Sequence, residues 1–483
     1  MPKHNFLKAG IIAFALVWLG LSVFALLYYP GSKLIYSVFS IVFLGMLVVG
    51  FYRQDSYGYM FLTVFMWLGF WLKFTVRMIS GPAYGEQIIY GEPIGAFIPT
   101  PGNLDNVLII AILASFGIIA AGFFGRYIPK GGAYCCNTQN TCPRWYPRSR
   151  RWLWLCLWLC IVLIPVVNMV FGIAQIGLVP RNVFYWPLNF LIAWFLGIGL
   201  SMAVVTLLWW DISAIKNPAQ GLLAALAEAA VSSMSLLSRG TFLWHVLPVA
   251  ATLSKNAKKL LPTISKRKIF AVAGATALMF VISFAMVNTM RRYFYSEAVI
   301  SGLPSKSDNA YSLTLVARGF SDEFAGSLKN VYLMAVGRWI GVEGVMAVYA
   351  YPIKGRDTLF NALLEKRKIG KADFYQSVSL SGISDSLHSQ FGFLPGPAAF
   401  FYYSGSRVVV FFGILLLALA VKFSETAVAY LTGNPFMCSL WGIAAANTIA
   451  QLSVPRQMLP YFSAIICALL FIRLLHSRPP QII

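Results

Sequence analysis

Apolar runs long enough to cross a bilayer recur along the whole chain, at approximately 9–28, 34–51, 60–79, 106–124, 152–172, 187–210, 219–237, 241–253, 269–288, 407–422, 436–452 and 459–475. In hydrocarbon no water is present to bond an exposed N–H or C=O, so only helices and closed barrels cross it, and runs of about 20 residues are the helical length. The expected fold is therefore all-α, a polytopic helical membrane protein with about 12 spans. Composition agrees. Of 483 residues 59% are hydrophobic and 11% charged, with a mean hydropathy of +0.71, whereas a soluble domain carries about 25% charged residues. A soluble enzyme is excluded.

The net charge of +22, from 38 Lys and Arg against 16 Asp and Glu, does not point to nucleic acid. Basic side chains confined to short loops between apolar runs are what a cytoplasmic membrane face carries. One basic loop holds Arg126, Lys130, Arg144, Arg148, Arg150 and Arg151, and another holds Lys255, Lys258, Lys259, Lys266, Arg267 and Lys268. Both are placed in the cytoplasm, and the Lys- and Arg-free segment from Gly81 to Asp105 outside it. The first run follows Lys3 and Lys8 and lacks a small-residue cleavage site, so it reads as a retained helix with a cytoplasmic N-terminus. Both basic flanks of 219–253 can lie inside only if that stretch is a broken hairpin of two short helices, with an outer turn at Ser238-Arg239-Gly240.

The seven Cys contain no C-x-x-C pair, and Cys135, Cys136 and Cys142 lack a nearby fourth ligand, so neither a disulfide scaffold nor a zinc site is expected. No cofactor is called for.

The spans divide the chain into helices 1–9 over 1–288, a large outer loop over 289–405, and helices 10–12 over 406–483. The loop carries nine of the sixteen acidic residues. Long loops translocate regardless of charge, so its Lys and Arg do not contradict an outside placement. Apolar residues three and four apart predict a helix over 321–349, on the membrane surface or packed on the spans. The run from Asp357 to Lys368 predicts a second, N-capped by Asp357 and stopped by Gly370. The loop is expected to be a helical cap.

Charges at the edge of a bilayer are costly and so are functional candidates. On the expected outer side stand Arg77, Arg181, Arg239, Arg291, Arg292, Arg318, Arg338 and Arg456. The positive-inside rule predicts few there, and guanidinium groups suit bidentate binding of phosphate oxygens. Each has an interfacial-anchor alternative. Glu343 either pairs with Arg338 or serves in a site, and Glu228 and His245 read as helix-contact residues. His388, in SDSLHSQFGF just before the chain re-enters the membrane, suits a general base.

The SRG turn at 238–240, the basic cytoplasmic loops, the large late outer loop and the His388 segment together resemble the O-antigen polymerase and O-antigen ligase superfamily of bacterial envelope polysaccharide synthesis. The ligase pattern has a His-Asn pair where this chain has His388-Ser389. The resemblance implies a GT-C-like, inverting, metal-independent glycosyltransferase of the inner membrane. Its substrates would be undecaprenyl-diphosphate-linked oligosaccharides, and a polysaccharide chain-length regulator would be a possible partner. It implies that Arg239 faces the diphosphate and that His388 is the His before the return to the membrane. The chemistry of outer-face charges adds Arg181, Arg291, Arg292, Arg318 and Arg338 as diphosphate-binding candidates, and His388 first and Glu343 second as the group that activates the acceptor hydroxyl. A ligase acting on a lipid A core and a flippase for lipid-linked saccharides are the alternatives.

Overall fold

A computed structural model describes residues 2–52, 56–80, 94–125, 127, 142–178, 180–260, 266–300, 336–337, 339–366, 373–379 and 394–475, without the side chains of 2–9, 257–260, 266–271, 292 and 294–300. Among them the regular structure is helical: α1 Pro2–Tyr28, α2 Lys33–Phe51, α3 Tyr57–Ser80, α4 Pro101–Phe124, α5 Tyr146–Phe171, α6 Trp186–Ala214, α7 Ala219–Ser235, α8 Arg239–Leu260 and α9 Lys266–Ile300. There follow α10 Val342–Ala350, α11 Arg356–Leu364, α12 Phe374–Val378, α13 Gly396–Tyr402, α14 Arg407–Thr432, α15 Pro435–Ala450 and α16 Pro455–Leu475. Each of the twelve apolar runs is helical, and nine helices among the described residues are long and apolar enough to cross a membrane. The chain is a multi-pass helical membrane protein.

Local chemistry sets the helix ends. Thr100 accepts a hydrogen bond from Asn103 N ahead of Pro101, Asn434 accepts from Phe436 N and Met437 N, and Gly172 and Gly433 close α5 and α14 in the left-handed conformation that glycine adopts without a Cβ penalty. The peripheral α1, α9 and α16 expose Leu16, Val17, Leu278, Val281, Phe471 and Leu474, as lipid-facing helices must. The core lies along α3, α4 and α6.

Contacts sort the helix ends into two groups. At one end Tyr29 Oη donates to Asp105 (2.7 Å), Asn168 Nδ2 to the Ser235 carbonyl oxygen (2.9 Å) and Arg407 to Asn106 (2.6 Å). At the other, Arg150 pairs with Asp211 (2.7 Å), Ser56 Oγ donates to Glu425 (2.7 Å) and Asn256 to Tyr57 Oη (3.1 Å). The expected outer loops emerge from the first end, and the described Arg148, Arg151 and Lys255 lie at the second.

The expected elements need four corrections. The hairpin turn lies at Leu236–Ser238, and Arg239 and Gly240 begin α8, because Leu237 takes a positive φ of 53° and reverses the chain before the predicted turn. Helix α9 continues to Ile300, past the predicted end at 288, since a helix need not stop where the apolar run does. Within the predicted 321–349 helix, Trp339–Gly341 is not helical and α10 starts only at Val342, while 321–335 and Arg338 lie outside the described residues. Helix α11 begins at Arg356, puts Asp357 in its first turn and ends at Leu364, where Glu365 turns away to accept a hydrogen bond from Phe374 N (2.7 Å). Gly370 is not among the described residues.

The cap expectation also changes character. Residues Val342–Val348 of α10 and Gly396–Phe400 of α13 are buried, and the two short helices pack on each other and against α4 and α14. They are inserted into the bundle rather than laid over it.

Candidate functional site

The inserted segment brings Glu343 into the protein interior. Its Oε2 stands 3.0 Å from Lys73 Nζ and its Oε1 3.1 Å from Arg77, with Lys73 and Glu343 fully buried and Arg77 18% exposed. Both cations come from α3, which carries a π-helical stretch at Trp67–Leu72. Gly69, Lys73 and Arg77 are spaced by four and line one side of α3. A Cβ at Gly69 would fall on the Ile340 carbonyl oxygen, and one at Gly341 on the Gly69 carbonyl oxygen, so two glycines allow the backbones to touch. Lys73 Nζ also donates to the Trp339 carbonyl oxygen at 2.7 Å. Above this contact Trp339 stacks on Phe65 (6.0 Å between centroids), and Phe65 meets the Trp244 ring edge-on (5.2 Å). The inserted chain is thus held by α3 through backbone approach, a buried ion pair and ring packing.

Among the described residues the cluster sets two cations on one carboxylate, and neither Glu343 oxygen has an aligned hydrogen bond there despite the ion-pair distances. Burying such groups is costly unless they are paired, so each partner depends on the others. The group can accept a proton at Glu343 and attract an anion at Arg77, its partly exposed member. Sequence reasoning singled out Glu343 and noted Arg77 but missed Lys73, although a lysine inside an apolar run was the available signal.

A second buried group lies inside the hairpin. Glu228 of α7 accepts hydrogen bonds from Ser201 of α6 (2.8 Å) and Ser232 (2.8 Å), and its Oε2 is 3.0 Å from His245 Nδ1 of α8. His245 Nε2 faces the carbonyl oxygen of Gly197, in the π-helical part of α6, at 3.0 Å. These two residues fill the helix-contact role expected of them.

The remaining candidate arginines have other surroundings. Arg291 Nε donates to the Leu237 carbonyl oxygen at 2.6 Å, and so holds the positive-φ tip of α7. Arg239 lies 5.5 Å from the Phe284 ring centroid. Arg181 is exposed, its backbone N–H bonded to the Gly172 carbonyl oxygen (2.9 Å) and its side chain folded over Gly172. His388, Arg318 and Arg338 lie outside the described residues, as does the Arg292 side chain. Among the described residues no group of three His, Cys, Asp or Glu is placed to hold a metal ion.

At the second end, Asp211 accepts from Tyr146 Oη (2.6 Å), Trp154 Nε1 (3.1 Å) and both Arg150 Nε (2.7 Å) and an Arg150 terminal nitrogen (3.0 Å). Glu425 accepts from Ser56 Oγ, Tyr57 N and Gly58 N at 2.7–2.9 Å, which caps α3 with a carboxylate. Both tie helices together with their hydrogen-bonding capacity well used. Comparison with family models, curated proteins and solved structures gives no match.

Proposed function

We propose that this chain is an inner-membrane glycosyltransferase that polymerises undecaprenyl-diphosphate-linked oligosaccharide repeat units on the periplasmic side. The observation that carries the reading is the convergence of Lys73, Arg77 and Glu343 where the inserted α10 meets α3. Assigning the end with Arg148, Arg150, Arg151 and Lys255 to the cytoplasm, as the positive-inside rule directs, puts this cluster toward the outer face.

The chemistry needs two things. An acceptor sugar hydroxyl attacks the anomeric carbon of the donor glycan; the new C–O bond forms as the bond from that carbon to the diphosphate oxygen breaks, with inversion. The departing diphosphate gains negative charge, which fixed cations stabilise best when already oriented in a site of low dielectric. Arg77 and Lys73 supply that charge. The hydroxyl proton passes to Glu343, a base that must lie within hydrogen-bond reach of it. In this scheme Arg291 holds the hairpin tip, while Arg239 keeps the diphosphate-binding role that the family resemblance implies for it, Arg181 keeps the one expected of an outer-face guanidinium, and His388 is the alternative base.

The test is polymer length on gels from cells lacking the protein and complemented with wild type, Glu343→Gln, Arg77→Ala, Arg239→Ala or His388→Ala. The expected result is single repeat units on their acceptor for the deletion and for Glu343→Gln. Lipid-linked polymer that accumulates without transfer identifies a ligase instead. Transport of lipid-linked saccharides has one observation in its favour, the Glu228–His245 pair buried in a helix hairpin beside a π-helical turn. Single units trapped on the cytoplasmic side would establish that reading.

A further inference from the structure

Helices α10 and α13 both finish at the first end of the bundle, and their last turns bring Tyr349 and Tyr402 together. The rings are parallel within 8° at a centroid separation of 6.4 Å, and Phe97 meets Tyr349 edge-on. Around them stand side chains from two more elements. Asn106 Nδ2 donates to Tyr349 Oη (3.2 Å) and to the Gly102 carbonyl oxygen (2.9 Å), and its Oδ1 accepts from Arg407 (2.6 Å). Tyr349 Oη reaches Asn103 Oδ1 at 3.5 Å.

We propose that Asn103, Asn106, Tyr349, Tyr402 and Arg407 form a saccharide-binding subsite. A sugar presents pairs of neighbouring hydroxyls, each both donor and acceptor, on a ring with apolar C–H faces. Asn106 spends both amide hydrogens on Tyr349 and Gly102, and Asn103 Nδ2 donates to the Ile98 carbonyl oxygen (2.9 Å), so the amides offer such hydroxyls the second lone pair of each Oδ1 and one Nδ2 hydrogen of Asn103, and a guanidinium adds donors in a fixed plane. Arg407 is exposed and, among the described residues, donates through one terminal nitrogen to Asn106, and a guanidinium carries five N–H groups. Tyr349, half-buried, supplies a rigid amphipathic wall, and the buried Tyr402 backs its ring.

An interfacial aromatic belt does not account for this arrangement. Belt residues direct their rings outward into headgroups, whereas Tyr402 is buried and Tyr349 half-buried, packed ring against ring. Polar groups from the starts of α4 and α14 and the ends of α10 and α13 converge on one point, as a ligand site requires. Tyr349 lies six residues beyond Glu343 on the same helix, about 9 Å at about 1.5 Å per residue. The assignment to an acceptor or donor glycan rests on the glycosyltransferase reading above.

The test measures binding to the full chain in nanodiscs with two probes. One is farnesyl diphosphate. The other is the oligosaccharide released by mild acid from the lipid-linked pool of cells lacking this protein. Asn106→Ala and Arg407→Gln are expected to weaken oligosaccharide binding about tenfold or more and Tyr349→Phe a few-fold, the scale of losing hydrogen bonds to a polar ligand. All three keep farnesyl diphosphate binding, and Arg77→Ala does the reverse. Tyr349→Phe preserves the ring and its packing, so it decides the case if another variant loses both ligands. Equal oligosaccharide binding by wild type and all three variants overturns the subsite and leaves the glycosyltransferase reading standing. Wild type that binds the diphosphate but not the oligosaccharide also overturns it, and wild type that binds neither overturns both.

Discussion

Nδ1 of His245 stands 3.0 Å from Oε2 of Glu228, and Nε2 of the same ring faces the carbonyl oxygen of Gly197 at 3.0 Å. A carbonyl only accepts, so Nε2 carries hydrogen, and one further proton must lie between Nδ1 and the carboxylate. Whichever atom holds it, the pair is neutral overall, which is how two ionisable groups are accommodated deep in a helical bundle. Glu228→Gln preserves an N–H donor toward Nδ1 and an acceptor for one serine, so it is expected to change stability by less than about 1 kcal/mol. Glu228→Ala leaves the Ser201 and Ser232 hydroxyls and His245 without their acceptor and should cost about 1–3 kcal/mol. Thermal unfolding of the purified variants in detergent compares the two; equal midpoints would contradict the shared-proton arrangement.

Lys73 and Glu343 predict a stability cycle distinct from the activity result. Removing one partner of a buried ion pair strands the other and costs about 3–5 kcal/mol, whereas an apolar replacement of both is near neutral. Glu343→Leu alone takes the carboxylate from the buried Lys73 and should therefore be poorly expressed or unstable, and Lys73→Met with Glu343→Leu, which leaves only the partly exposed Arg77, should recover stability. Polymer formation should be absent from both. Fluorescence-detected size-exclusion profiles with gels of polymer length read the two properties separately, and recovered activity in the double variant would remove Glu343 from the chemistry.

Gly69→Ala isolates the docking of the inserted segment. The added Cβ meets the Ile340 backbone carbonyl, which cannot move without shifting the Lys73 bond to the Trp339 carbonyl oxygen. In a plain helix the same change would gain about 1 kcal/mol. Here the expected outcome is loss of polymer with helical circular dichroism unchanged, and full activity would show that the segment is not held as described.

Asp211 anchors α6 to α5 through four hydrogen bonds at the end away from the candidate site. Arg150→Ala removes two of them, and because Arg150 is partly exposed its loss should cost about 1–2 kcal/mol. Activity per folded molecule should be unchanged. A drop in specific activity at constant protein level would place this end in the mechanism.

The chain itself determined the helical membrane class, because runs of about 20 apolar residues leave the backbone no other way to meet its hydrogen bonds in lipid. All twelve predicted runs are helical, and the pairing of 219–235 with 239–260 follows from the basic flanks on both sides of that stretch. Glu343 was legible as a candidate because an acidic residue in an apolar setting is costly. Its partners were not. An arginine five residues away looked the natural one, yet Gly69 and Gly341 let two backbones meet across more than 260 positions of sequence, and that approach delivers Glu343 to Lys73 and Arg77. The same holds for Tyr349 and Tyr402, which only the fold stacks on each other beside Asn106 and Arg407. Hydrophobic periodicity decides which segments are helices and which are apolar; which charges meet is decided by close packing, and packing depends on side-chain volumes from distant segments that no local pattern encodes.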